Sequence, residues 1–378
     1  MLVVAAALAG CSGPILANPP AQRPAATTGP EPTPRAITDP RPIDLPRDDA
    51  PHDRLTEWWY YTGHLRDETG GRWGFEYVVF RAERGSFPVA WASHLALTDE
   101  TAGRFTYAQR SEIGPQADTR APGAPGFDFA ITGFDPTRPA TRSLAPWAMS
   151  GSNGSDRLQA AADAADAQGD RATIALDLEL ATELQPALHD RDGWIDFGPA
   201  GGSYYYSRTR MTAEGSLAVD GRERRVEGLA WFDHQWGDFI AVGGGGWDWF
   251  AINLDDGTDL TLSLVRNRDG TYPLVYGTLV APDGSTSHVP REAFSVEVTE
   301  RWTSPSTGAD YPAGWRIELP GERLTIDLAP TVAHQELDTR ETTGVVYWEG
   351  SQTVRATRDG QPLGGEGYVE LTGYGQPG

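Results

Sequence analysis

In "LAWFDHQWGDF", Leu229 to Phe239, Asp233 and His234 stand side by side within a run of Trp and Phe. A carboxylate kept away from water either finds hydrogen-bond donors or takes up a proton, because an unpaired buried charge costs several kcal/mol or more. In a strand, Trp231, Asp233 and Gln235 share one face while Phe232, His234 and Trp236 share the other, so Asp233 and His234 are not expected to act as a dyad. An acid that stays protonated near neutral pH can serve as a general acid, and aromatic faces around it would stabilise a nearby cation by ~0.5–2 kcal/mol per ring. The competing reading makes Asp233 a core carboxylate satisfied by backbone or Arg donors.

Other chemistries find less support. There is no G-x-S-x-G elbow, and Ser203 in "GGSYYYSRTRM" is the nearest imitation of an exposed nucleophile. The spacing in "DDGTD", Asp255 to Asp259, resembles a calcium loop, but Asp-Gly between two strand-like runs is first a turn signal. His189-Asp190 and Asp233-His234 are adjacent pairs that point to opposite faces, so a metal site would need long-range assembly; no metal and no cofactor is expected. The chain has no lysine, which excludes Schiff-base catalysis, pyridoxal chemistry and a Walker-A loop.

Composition describes the setting of this acid. The 378 residues are 39% hydrophobic and 22% charged, a globular balance long enough for two domains. A formal charge of -22 argues against nucleic acid as a partner. The start, "MLVVAAALAGCSG", resembles a bacterial lipoprotein signal: its short apolar run ends in Leu8-Ala9-Gly10-Cys11, and Cys11 is the single cysteine. That resemblance implies cleavage before Cys11, its lipidation, and an extracytoplasmic protein held at a membrane by acyl chains. No other stretch approaches the roughly 18 apolar residues that span a bilayer. Residues 12–51 read as a Pro/Ala-rich disordered tether.

Order is expected from residue 52. "EWWYYTGHL" and "RWGFEYVVFR" flank the turn "RDETGG", and "GWDWFAINL" and "LTLSLVRN" flank "DDGTD". "GVVYWEGSQTVRATR" and "GYVELTGY" flank "DGQPLGGE" in the same way. These are antiparallel meanders without the helix alternation of a parallel sheet. The Ala-rich "DRLQAAADAADAQGD", Asp156 to Asp170, is helical by propensity, with a strand-turn-strand reading as the alternative. The glycines Gly243–Gly246 mark a junction, which divides the chain into domains at 52–240 and 241–378.

Together "EWWYYTGHL", "GGSYYYSRTRM", "FDHQWGDF" and "GWDWFAINLDDG" resemble the secreted lipocalin-like proteins related to AttH and the carotenoid 1,2-hydratases, from about Asp53 to Gly373. The resemblance implies an all-β fold of two lipocalin-like antiparallel barrels or curved sheets packed together, with a ligand cavity near their junction. It aligns a Tyr-x-Asp element of the hydratases with Trp231-x-Asp233, and a His-x-Trp pair with the region of Tyr204-x-Tyr206. Asp233, Tyr204 and Tyr206 are therefore the implied catalytic group, with Trp58, Tyr60, His94, Trp231, His234, Trp236, Trp247 and Trp249 as ligand-binding walls. The implied activity is hydration or isomerisation of an apolar isoprenoid or polyene-like molecule. The alternatives are an apolar-ligand carrier and a pericyclase- or hydrolase-like relative.

Overall fold

The computed structural model describes residues 39–134, 145–166, 169–239 and 244–375. They form twenty-two strands and five short 3-10 turns, with no α-helix among the described residues. Eight antiparallel strands pair in a ring: Gly202–Val219, Arg222–Gly237, Thr56–Asp67, Arg72–Ala82, Ala90–Asp99, Arg104–Ile113, Ser155–Asp166 and Arg171–Ala181. The last of these pairs back onto Gly202–Val219, so the sheet closes into a barrel and loses its open edges. A second, open sheet of ten strands begins with Gly244–Leu254 and centres on that strand, Gln361–Thr372 and Val346–Arg358. The strands of the first sheet lie between Thr56 and Gly237, and those of the second between Gly244 and Thr372. The architecture is two curled antiparallel sheets packed together, as expected.

Packing of one sheet against the other explains the consecutive aromatics. A strand covered on both faces needs large side chains at odd and even positions alike. In "WWYY", Trp59 and Tyr61 point into the barrel core, whereas Tyr60, with part-buried Trp58 beside it, points to the second sheet. The three largest clusters among the described residues are one in the barrel, one within the second sheet, and one between the sheets built from Tyr60, Val78, Trp231, Trp249, Ala251 and Tyr368. At ~25 cal/mol per Å² of apolar surface, each fully buried aromatic is worth ~1.5–3 kcal/mol or more before entropy is counted. Gly74 lets the sheets approach: a side-chain carbon there would lie 2.6 Å from the Tyr368 hydroxyl.

Three expectations are corrected. Ser155–Asp166 is a strand, paired with Arg171–Ala181, and not a helix. Its burial alternates, with Asp156, Leu158, Ala160 and Ala164 inward, and tertiary sheet pairing overrides the strong intrinsic helical preference of alanine. The last hairpin turns on Asp359-Gly360 alone, both at positive φ, so its second strand begins at Gln361. The segment read as tether is ordered from Asp39. Asp48 and Asp49 are buried, and the Asp49 carboxylate accepts hydrogen bonds from the Tyr206 hydroxyl at 2.5 Å and the Asn153 backbone N–H at 2.8 Å. The Trp59 indole donates to the Asp49 carbonyl at 3.0 Å, and Ile43 and Leu45 pack on the core. A Pro- and Asp-rich segment with little apolar content is held because the barrel supplies donors for its carboxylates. Cys11 lies outside the described residues.

Candidate acid site between the sheets

Strand register sets one row of side chains on each sheet, since antiparallel partners share a face. On the barrel, Ser207, Asp233, Tyr60, Val78 and His94 are successive cross-strand partners. On the second sheet, Glu349, Glu370, Trp249, Ser263 and Tyr276 are. The rows meet face to face. The Tyr60 hydroxyl donates to Glu349 Oε1 at 2.7 Å, and Trp249 Nε1 donates to the Tyr205 hydroxyl at 3.0 Å. Trp249 stands edge-on to Tyr60, with centroids 5.4 Å apart, and to Trp231 at 6.1 Å.

Asp233 is 3% exposed. Its carboxyl accepts from the Tyr205 hydroxyl at 2.5 Å, the Trp231 indole at 2.7 Å and the Ser207 hydroxyl. Burial outweighs these three donors and pushes its pKa up to about 7. Beyond Ser207 the chain of contacts continues: Ser207 Oγ lies 2.6 Å from His189 Nε2, and His189 Nδ1 lies 2.9 Å from Thr278 Oγ1. Burial pushes His189 down to about 3, so the ring is neutral and uses one nitrogen as donor and the other as acceptor.

Three further acids lie in the same contact between the sheets. Glu76 accepts from the Tyr347 hydroxyl at 2.7 Å, and that hydroxyl lies 2.7 Å from His94 Nδ1. Glu370 accepts from the Trp247 indole at 2.9 Å. Among the described residues no Arg or His pairs with Asp233, Glu76, Glu349 or Glu370, and the Oε2 atoms of Glu76 and Glu349 have no hydrogen-bond partner. Burial first, and then Glu370, raises Glu76 to about 8. Burial, then Glu76 and Glu370, raises Glu349. Burial and then Asp233 raise Glu370 to about 7. The edge of this acid cluster is formed by Trp58, Phe80 and Trp247, which, like Glu370, are part-exposed.

The fold therefore gathers Trp58, Tyr60, His94, Trp231, Trp247 and Trp249 with Asp233 on the inter-sheet side. It does not gather Tyr204, Tyr206, His234 or Trp236 there. Residues 204 and 206 have the opposite parity to Ser207, the direct partner of Asp233, and so point into the barrel. Tyr204 donates to Asp39 at 2.7 Å; His234 Nε2 lies 2.9 Å from Glu57 Oε1; and Trp236 stacks on His52 at 4.2 Å. Tyr205 and Ser207 take the positions expected of Tyr204 and Tyr206. Sequence reasoning also missed His189 as a contact and all three glutamates. The signal that marked Asp233, an acid inside an aromatic run, is repeated at Glu76 in "GFEYVVF" and Glu349 in "VVYWEGS".

The AttH-like family pattern matches residues 36–374. The chain belongs to the AttH-like family. An AttH protein from Nitrosomonas europaea is 30% identical, with a TM-score of 0.74 over 89% of this chain and 99% of that one. Kievitone hydratase from Nectria haematococca shares the fold at 15% identity and a TM-score of 0.65, over 88% of this chain and 93% of its own. No curated protein matches the sequence. This AttH-like chain thus has the two-sheet lipocalin-like fold along nearly its whole described length, with the acid row at the junction of the sheets.

Proposed function

We propose that this AttH-like protein hydrates or isomerises an apolar isoprenoid- or polyene-like molecule between the sheets, which part to admit it, with Asp233 as the proton donor. The observation that carries the reading is a dry carboxyl, titrating near neutrality, beneath Trp231 and Trp249 and opposite acids that no cation neutralises. In the acid form Asp233 gives its proton to one alkene carbon, and the adjacent carbon becomes a cation bordered by aromatic faces. Water adds to that cation and loses a proton to the Glu370 carboxylate, so the net change is addition of one water. Glu370 returns that proton to solvent at its part-exposed edge, and Asp233 regains one from solvent before the next turnover, while Ser207 and neutral His189 hold its carboxyl in position. The shared fold of kievitone hydratase agrees with hydratase chemistry on this scaffold. Lipidation of Cys11 and an extracytoplasmic, membrane-held location are part of the same proposal, supported by Leu8-Ala9-Gly10-Cys11.

Turnover is tested with acyclic polyenes in 18O-labelled water, reading label in the product by mass spectrometry. Wild type should incorporate one labelled oxygen per hydration, and Asp233→Asn should retain its fold while losing turnover by about two to four orders of magnitude. The acid form of Asp233 and the base form of Glu370 both titrate near 7, so kcat/KM should follow a narrow bell around that pH. An active Asp233→Asn variant would remove the acid from the mechanism. Tight polyene binding with no conversion by wild type would leave a carrier.

A further inference from the structure

We propose that His52, Glu57 and His234, at one end of the barrel interior, form a binding site for a single divalent transition-metal ion of the zinc class. This site is separate from the acid row and does not depend on the reading given for it. Its three ligand atoms all lie within 4.8 Å of one another. Glu57 Oε1 is the common point, 2.7 Å from His52 Nδ1 and 2.9 Å from His234 Nε2. The carboxylate is aimed by its other oxygen, which accepts the His52 backbone N–H at 2.9 Å. Ring planes are held by stacking, His52 on Trp236 at 4.2 Å and His234 on Trp59 at 4.6 Å.

The outer nitrogens supply the second observation. His52 Nε2 lies 3.6 Å from Asp48 Oδ1, and His234 Nδ1 lies 3.3 Å from the Tyr206 hydroxyl. An imidazole whose far nitrogen faces an oxygen presents its near lone pair to a metal, the arrangement that surrounds most histidine ligands. Two imidazoles and one carboxylate without a thiolate suit Zn(II), Co(II) or Ni(II), whereas Ca(II) and Mg(II) require more oxygen ligands. Three protein ligands leave a fourth position for water or an anionic group. Bonds of ~2.0–2.2 Å around a tetrahedral ion require the donor atoms to spread by about half an ångström. His52 provides that movement, because it lies in the segment before the Thr56–Asp67 strand. It is also the way in: its side chain is 12% exposed, and those of Glu57 and His234 are 0%.

The full chain, stripped with chelator and dialysed, is titrated with Co(II) and with Zn(II). The expected result is one equivalent of each, with the intense visible bands of four-coordinate Co(II). His52→Ala and Glu57→Gln should each weaken Zn(II) binding by more than the roughly 10–100-fold that loss of an outer hydrogen-bond partner costs. X-ray absorption of the Zn(II)-loaded wild type keeps the test decisive if either variant fails to fold: two imidazole ligands support the site. No stoichiometric uptake by wild type, uptake unchanged in both folded variants, or fewer than two imidazoles would overturn it.

Discussion

Inside the barrel and between the sheets, acids are withdrawn from water among aromatic side chains, yet their partners differ. In the barrel, Glu57 is flanked by His52 and His234, and Asp49 by Tyr206 and Arg208. Burial alone would raise Glu57, but the two histidines hold it at about 2. Asp156, bonded to Tyr61, is the exception and is raised to about 7. Between the sheets Asp233, Glu76, Glu349 and Glu370 meet only hydroxyls, indoles and one another, and all four are raised. Matched charge makes the barrel acids a clamp for the amino-terminal segment. Unmatched charge makes the inter-sheet acids carry protons near neutral pH, a destabilising arrangement of the kind that accompanies function.

That contrast can be broken in order of effect. Removing residues up to 50 should destabilise the barrel by several kcal/mol, on the order of 1–3 for each of Tyr206, Trp59 and the Asn153 N–H left without Asp49. Urea unfolding measures this, and an unchanged midpoint would show that the segment is a passive appendage. Two neighbouring residues sharpen the point. Trp59→Ala, in the barrel core, should cost about 3–5 kcal/mol, whereas Trp58→Ala, at the part-exposed edge, should cost less than about 1 kcal/mol and instead weaken polyene binding. Equal costs would mean that the edge is ordinary core.

A further test concerns pH. The inter-sheet acids titrate higher in the folded chain than in the unfolded one, so their protonated forms favour folding. The stability they contribute is complete below about pH 4 and is lost as pH rises through about 7 for Asp233 and Glu370 and about 8 for Glu76. Glu76→Gln, which cannot ionise, should flatten the upper part of that decline and raise stability by about 1–2 kcal/mol at alkaline pH. Unfolding free energies that do not fall between about pH 5 and 9 would contradict the raised titration of the acids buried between the sheets.

Much of this was legible in the residues. Alternation alone separates Trp231, Asp233 and Gln235 from Phe232, His234 and Trp236, because strand geometry is local and the sheet keeps that division. The hairpins on either side of "RDETGG" and "DDGTD" follow from turn residues between aromatic and β-branched runs. The "DDGTD" turn also illustrates a limit. Its Asp259 is buried against Arg210 at 2.5 Å and Thr209 at 2.7 Å, partners some fifty residues away that no local pattern announces. The same holds for Tyr204 and Tyr206: an x-x spacing gives a shared face but not which face, and one residue of register exchanged them for Tyr205 and Ser207.

The sequence by itself determined that strands would form, that aromatic residues would cover both of their faces, and that Asp233 would be dry, since these depend on periodicity and on the avoidance of water by apolar rings. Tertiary structure decided what stands opposite each acid. Glu57 and Asp233 have the same kind of neighbours along the chain, but closure of the barrel brings histidines to the first, and packing of the second sheet brings more carboxylates towards the second. Protonation of a buried group is set by the charges and dipoles within a few ångströms, and those come from strands far away in sequence.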